Sequence, residues 1–249
     1  MWMPDERQYI EFDQFSFLYG RTPALINISL RIPRGAFVSV VGQSGSGKST
    51  LLRALNRLLD LHADGRHSGD IRFGDLSIFE TAVGAERARR RTAMMFDRPY
   101  LFPGTVFENI AYPLRVDGLW SKRKLQRRVG EALTALGLTD TIGRLLQTPA
   151  SQLATPVAQT VSLTRAVARE PDLLILDDPT ALLDPYAAER LEGLIRLAAD
   201  ATTVVMSTSD IAQAKRCSDF IVVLDGGHMV DLVTVFEGRT RSFAGWNQD

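Results

Sequence analysis

The stretch "GQSGSGKST", Gly42–Thr50, decides how the rest of the chain is read. It matches G-x-x-x-x-G-K-[ST] at every fixed position. It follows the apolar run "FVSVV", Phe37–Val41, and opens a segment with apolar residues at helical spacing. A strand, a glycine-rich turn and a helix in that order make a cradle for phosphate groups. The glycines let backbone N–H groups turn inward, and the helix N-terminus adds positive partial charge. The whole loop is therefore a candidate nucleotide-binding segment: Gly42, Gln43, Ser44, Gly45, Ser46, Gly47, Lys48, Ser49 and Thr50. Lys48 is expected to reach the β- and γ-phosphates of a bound nucleotide, and Ser49 to hold Mg²⁺ through its hydroxyl.

Further along, "LLILDD", Leu173–Asp178, is an apolar strand that ends in acids. Such a strand delivers Asp177 to the metal shell, the Walker B arrangement. The two motifs together imply nucleotide binding. They leave kinases, GTPases, motor ATPases and transporters all open.

Composition narrows the setting. The chain has 249 residues, enough for one large α/β domain or one domain with a subdomain inserted. Its 29 basic and 29 acidic residues cancel, so no global charge points to nucleic acid or to an anionic membrane. A single cysteine, Cys217, cannot form an internal disulfide, which fits a reducing compartment. The opening "MWMPDERQYIEF" has early acids and no apolar run, unlike a secretory signal. No stretch approaches the ~20 apolar residues of a membrane helix, so work at a membrane would need docking onto another chain.

Hydrophobic patterning predicts strands over Ile10–Leu18, Ile26–Ile32 and Phe37–Val41, then a helix over Lys48–Leu59. A short strand, Asp70–Phe73, follows the loop "HADGRHSG"; Glu86–Arg91 reads as helix and Thr92–Phe96 as a buried strand. From about Pro99 to Thr155 helical pattern dominates, over Thr105–Ala111, Lys122–Leu136 and Thr139–Leu146. A further helix, Pro156–Arg169, has Thr155 as its expected N-cap and Pro156 at its first position. Strand Leu173–Asp177, helix Pro185–Ala199, strand Thr202–Ser207, helix Ile211–Arg216, strand Phe220–Leu224 and a last strand near Met229–Val235 follow. Strands alternating with helices imply an α/β fold whose mostly parallel sheet is covered on both faces. Residues 238–249 read as a C-terminal tail, of which "TRSFAGWNQD", 240–249, is expected to be loosely held.

"FSFLYGRTPALINISLRIPRGAFVSVVGQSGSGKSTLLRALNRL", "RPYLFPGTVFENIAYPLRVDG" and "TRAVAREPDLLILDDPTALLDP" resemble the ATP-binding-cassette ATPases over roughly Ile10–Phe236. "ALNRLLDLHADGRHSGDIRFG", "RRRTAMMFDRPYLFPGTVFENIAYPLRVDG" and "QAKRCSDFIVVLDGGHMVD" look most like the ATPase subunits of bacterial phosphate importers. The resemblance implies a P-loop NTPase-type sheet with an N-terminal antiparallel β portion and a helical subdomain at 98–155, within one domain at 8–237. It also implies a head-to-tail pair with a second ATPase subunit, with ATP bound at the interface. Membrane-embedded partner subunits and a peripheral place on the cytoplasmic face of the membrane follow from it too. Tyr19 falls where the family stacks an aromatic ring on adenine, and Asp184 where it signals across the dimer.

Four sites depart from the family pattern. The signature LSGGQ is here Leu153, Ala154, Thr155, Pro156, Val157. Ala154 lacks the hydroxyl that would contact the partner's γ-phosphate, Thr155 is its nearest replacement, and Pro156 lacks an N–H. Losing one or two charge-assisted hydrogen bonds, each worth about 1.5–3 kcal/mol, would weaken a closed dimer by about 10-fold to 10⁴-fold. The glutamate that polarises water is Asp178, one methylene shorter; a misplacement of about 1 Å can cost about 10²-fold. The switch histidine is Ser209, which does not take up a proton near neutral pH. The glutamine that senses Mg²⁺ is Asp97, which adds a possible metal ligand and a third acid beside Asp177 and Asp178. With the phosphate loop whole, the expectation is retained ATP binding with reduced turnover. Slow hydrolysis through Asp178, Ser209 and Asp97 is one reading, and a non-hydrolysing module that regulates or assembles a membrane complex is the other.

In this family a groove beside the helical insertion receives a helix of the membrane subunit. "RPYLFPGTVFENI", Arg98–Ile110, would line it, with Tyr100, Phe102 and Phe107 as anchors or as packing inside the insertion. The basic run "SKRKLQRR", Ser121–Arg128, reads as a solvated helix face, and His62 and His67 as residues of a polar loop.

Overall fold

The structure is a computed structural model that describes residues 9–80 and 82–235. The expected tail at 238–249 lies outside the described residues. The chain divides into two compact units. One spans Met1–Arg91 and Val205–Asp249, and the other Thr92–Val204.

The first unit opens on an antiparallel sheet. β1 (Tyr9–Tyr19) pairs with β2 (Thr22–Pro33) on one side and with β4 (Gly65–Phe73) on the other. The short β5 (Leu76–Ser77) pairs with β4, giving the order β2-β1-β4-β5. Alternation puts Phe15, Phe17, Leu25, Ile28, Leu30, Ile32 and Ile71 into its core. β4 begins earlier than hydrophobicity predicts. Much of the supposed loop "HADGRHSG" pairs in register with β1, Gly65 against Tyr19 and Ser68 against Ser16. Polar residues on an exposed strand face carry no hydrophobic signal.

β3 (Phe37–Val41) is buried at all five positions and runs parallel to β9 (Phe220–Asp225). β10 (His228–Thr234) closes the edge antiparallel to β9. Within this unit the order is β10-β9-β3-β8, where β8 (Thr203–Thr208) carries the division between the units. The backbone N–H of Phe37 donates to the Asp219 carboxylate at 2.8 Å, and the N–H of Asp219 donates back to the Phe37 carbonyl at 2.8 Å. That exchange fixes the register of β3 and β9 at their N-terminal ends.

Helix α1 (Lys48–Ala54) stops well short of Leu59. Arg57 turns to φ 59, and a 3₁₀ turn over Leu58–Leu61 takes up the remaining apolar residues. α2 (Ala82–Arg91) ends the first stretch of this unit, and α7 (Ile211–Cys217), capped by Asp210, follows β8.

The second unit pairs β6 (Thr92–Met95) parallel to β7 (Leu173–Asp177), which is buried throughout. α3 (Val106–Val116) starts with a capping box in which Thr105 accepts from the Glu108 N–H and Glu108 accepts from the Thr105 N–H. That backbone bond holds the Glu108 carboxyl below the usual carboxylate range. α4 (Lys122–Ala135), α5 (Thr155–Val167) and α6 (Pro185–Ala199) complete the unit. α5 begins one residue before the expected start, with Ala154 as N-cap and Thr155 already helical. The helix expected over Thr139–Leu146 is only a 3₁₀ turn, Ile142–Leu145. Asp117 and Arg169 join the ends of α3 and α5 through two parallel bonds of 2.7 and 3.0 Å.

Candidate nucleotide site

The phosphate loop lies between β3 and α1, and its shape is forced by crowding. A Cβ on Gly42 would stand 2.2 Å from the Leu224 carbonyl oxygen and 2.5 Å from Ser46 Oγ. A Cβ on Gly47, where φ is 104°, would stand 2.7 Å from the Ala24 carbonyl oxygen. No side chain fits at either place. β2 and the β9–β10 turn brace the loop: the Gly227 N–H donates to the Ser46 carbonyl, and the Ile26 N–H to that of Gly227. On its other side the loop is open, with nothing near a Cβ on Gly45.

Lys48 Nζ donates to the Gly42 and Gln43 carbonyls at 2.7 and 2.9 Å. Those carbonyls hold the ammonium over the loop, and a phosphate oxygen would compete for it with the stronger pull of its charge. Ser46 is buried, and its Oγ has no hydrogen-bond partner among the described residues. A braced glycine cradle, an open face and a cation poised over it fit a phosphate chain. Tyr19 reaches the same loop from the end of β1, its hydroxyl 3.3 Å from Thr50 Oγ1. The rings of Phe17 and His62 lie nearly perpendicular to its own, with centroids 4.9 and 4.8 Å away. His62 thus belongs to an aromatic group. His62 lies in the loop before β4, as expected, whereas His67 is not a loop residue: it sits in β4, tilted against Phe79 at 4.1 Å and stacked on Phe15 at 6.2 Å. Burial, and then the charge of Arg57, lower the His67 pKa below 6.5. Ser209 is exposed between β8 and α7.

In the second unit the remaining candidates lie on three adjoining chain segments. Asp177 ends β7 and is 6% exposed. Asp178 follows with φ 48, in the left-handed region that Asp tolerates better than most residues. Asp97 is exposed just after β6. Among the described residues no group of three or more His, Cys, Asp or Glu side chains is arranged to hold a metal ion. Asp97, Asp177 and Asp178 therefore do not make a three-carboxylate cage by themselves. Ala154 and Thr155 are exposed where α5 starts, and Ala154 offers no side-chain cap.

Patterning missed Gln159. It is 1% exposed, and its Nε2 lies within hydrogen-bond distance of the carbonyls of Phe96 (3.1 Å), Asp97 (2.8 Å) and Pro179 (2.9 Å). A polar residue on the buried face of α5, between Ala158 and Val161, was the available signal. The aromatic segment after Asp97 is largely exposed, Tyr100 at 63% and Phe102 at 45%. Phe102 packs on Tyr112 at 4.3 Å, with the Arg165 guanidinium 5.3 Å from its ring. Phe107 is partly buried.

The first unit holds a glycine cradle after a buried strand with a lysine over it, and the second holds an apolar strand that ends in Asp177. Residues 25–181 match the family described as ABC transporter, and the chain belongs to that family. It is 39% identical over 230 residues to "Phosphate import ATP-binding protein PstB 2" of Aliivibrio fischeri, which covers 92% of this chain and 84% of that one. It is 35% identical over 229 residues to "Phosphate import ATP-binding protein PstB 1" of Vibrio vulnificus, with the same coverage of both chains. Among solved structures it superimposes on cbiO1 of Clostridium perfringens, part of the ABC transporter complex cbiONQ. There the TM-score is 0.79 and the identity 26%, over 90% of this chain and 88% of that one. It also superimposes on the dimeric, post-hydrolysis ATP-binding cassette MJ0796 bound to ADP and Pi. That match has a TM-score of 0.77 and 27% identity, over 92% of this chain and all of the other. The α/β fold expected from the sequence is the fold of this family.

Proposed function

We propose that this chain is the ATP-binding subunit of an importer of phosphate or a closely similar anion, and that it hydrolyses ATP slowly. The observation that carries the importer assignment is identity of 35–39% over 92% of the chain to proteins named for phosphate import. Among the described residues no helix is long and apolar enough to cross a membrane. Transport would then require membrane subunits, with this chain docked on their cytoplasmic side. The exposed Tyr100 and Phe102 are the anchors we assign to that docking.

In this reading Gly42–Thr50 holds the triphosphate of the substrate, Lys48 meets its β- and γ-phosphates, and Tyr19 meets the adenine. Ser49 and Asp177, with Asp97 as a further oxygen donor, would hold Mg²⁺. When bound, that ion neutralises developing charge on the phosphate oxygens. Asp178 orients the attacking water from a carboxylate one methylene nearer the backbone than glutamate's. Ser209 stands where histidine would meet the terminal phosphate, but its shorter side chain does not span that distance as an imidazole does and takes no proton near neutral pH. A second cassette subunit completes each site by presenting the N-terminus of its α5, where Ala154 and Thr155 stand in this chain. The glycine cradle keeps binding intact while the groups around the terminal phosphate slow the chemistry.

Vesicles that carry the assembled transporter, with Mg-ATP inside, test the assignment. ATP-dependent phosphate uptake that Lys48→Ala abolishes is the expected outcome. Uptake of another solute with none of phosphate would refute the substrate, and no nucleotide-dependent uptake at all would refute the importer.

A further inference from the structure

Gln159 forms a clasp whose partners are all backbone, and all lie next to candidate catalytic residues. Its single amide nitrogen faces three carbonyls at 2.8–3.1 Å. One is that of Asp97, one precedes it at Phe96, and the third belongs to Pro179, directly after Asp178. A primary amide has two hydrogens, so the three carbonyls cannot all be served in full at once. Turning the amide over would set Oε1 against all three, so the orientation is fixed by its surroundings. That leaves Oε1 buried with no partner among the described residues. A leucine or methionine here would leave the carbonyls of Phe96, Asp97 and Pro179 without this donor, so the glutamine does more than fill space in α5.

The clasp also sits close to the start of α5. Gln159 is four residues from Thr155, about 6 Å along the helix axis. One side chain therefore joins three things: the loop that carries Asp97, the loop that follows Asp178, and the helix whose N-terminus presents Ala154 and Thr155. Asp178 itself stands at φ 48, a conformation that persists only where its neighbours hold it.

We propose that Gln159 is a positioning residue whose amide shares its two hydrogens among the three carbonyls differently in the ATP and ADP states. It thereby couples the loops of Asp97 and Asp178 to the start of α5. The inference rests on the proposed ATP site, and its test separates the two. In the intact chain with ¹⁵N-labelled glutamine side chains, Gln43 reports on the phosphate loop and Gln159 on the clasp. The amide resonances of both are compared with Mg-ADP and with a non-hydrolysable Mg-ATP analogue. The proposal expects both to differ between nucleotides. A response of Gln43 with none of Gln159 overturns the clasp. No response of either to any nucleotide overturns the ATP site, and the clasp with it.

Turnover gives a second arm. Gln159→Glu places an acceptor-only carboxylate against the carbonyls, and protonation restores one donor. Its kcat should fall about ten-fold or more near pH 8 and recover toward pH 5.5, with the Kd for Mg-ATP within about two-fold of the unaltered chain. Gln159→Met should stay low at every pH. Equal turnover of Gln159→Glu and the unaltered chain across that range would overturn the proposal.

Discussion

Single residues explain both what the site keeps and what it has lost. At Gly42 and Gly47 any Cβ meets backbone oxygen within 2.7 Å, so the phosphate loop admits no substitution there without moving β2 or β9. Asp178 is different, since its backbone already holds φ 48 and its carboxylate is one methylene short. Asp178→Glu combined with Ser209→His is expected to raise steady-state ATP turnover about ten-fold or more, measured as phosphate release. No rise would remove these two positions as the cause of the proposed slow chemistry. His67 gives a separate prediction about stability. Burial first, and Arg57 second, hold its folded pKa below 6.5, so the unfolded chain takes up the proton more readily. The stability it contributes is complete above that value and is lost as the pH falls through it toward the folded pKa. The urea midpoint should therefore fall between about pH 7 and pH 5.5, and His67→Phe, which keeps an aromatic ring against Phe79, should flatten that fall. A slope unchanged by the substitution would place the titrating group elsewhere.

At the scale of elements, α5 organises the second unit. It offers Gln159 to the Asp97 loop and Arg165 to the ring of Phe102, and Arg169 just beyond its end clamps Asp117. Its start is its weak point, because Ala154 gives no side-chain cap, whereas Asp184 caps α6 by accepting from the Ala187 N–H at 3.0 Å. Ala154→Ser should stabilise the chain by about 1 kcal/mol, and Asp184→Ala should cost about as much. In thermal melts each appears as a shift of about 2–4 °C, in opposite directions. A melt unmoved by Ala154→Ser would mean that the N-terminal amides of α5 are already satisfied.

The same elements show how far patterning reaches. β3, β7 and α6 were legible to the residue, since a buried five-residue run and a Pro-led helix leave little choice. Patterning extends α1 too far because Leu58 and Leu59 keep helical spacing, while only the backbone turn at Arg57 shows that the helix has ended. The start of α5 was misplaced by one residue because a hydroxyl at Thr155 looked like a cap, and an alanine announces nothing. The phosphate loop could be read residue by residue because its chemistry is local. Gln159 could not, because its three partners come from two other segments of the chain.

Over the whole molecule, the proposed cradle for the triphosphate keeps every fixed position of its motif, while the residues expected around the terminal bond are Asp97, Asp178, Ser209 and an α5 start without a serine. The account therefore predicts a chain that binds Mg-ATP well and turns it over poorly. The most direct measurement takes both quantities from one preparation, assembled with its membrane subunits: Mg-ATP affinity by calorimetry and steady-state phosphate release. The prediction is binding that Lys48→Ala abolishes, with turnover well below about 1 per second, the low end for ordinary enzymes. Turnover in the ordinary range, unchanged by Asp178→Glu with Ser209→His, would contradict it, and so would a chain that fails to bind Mg-ATP.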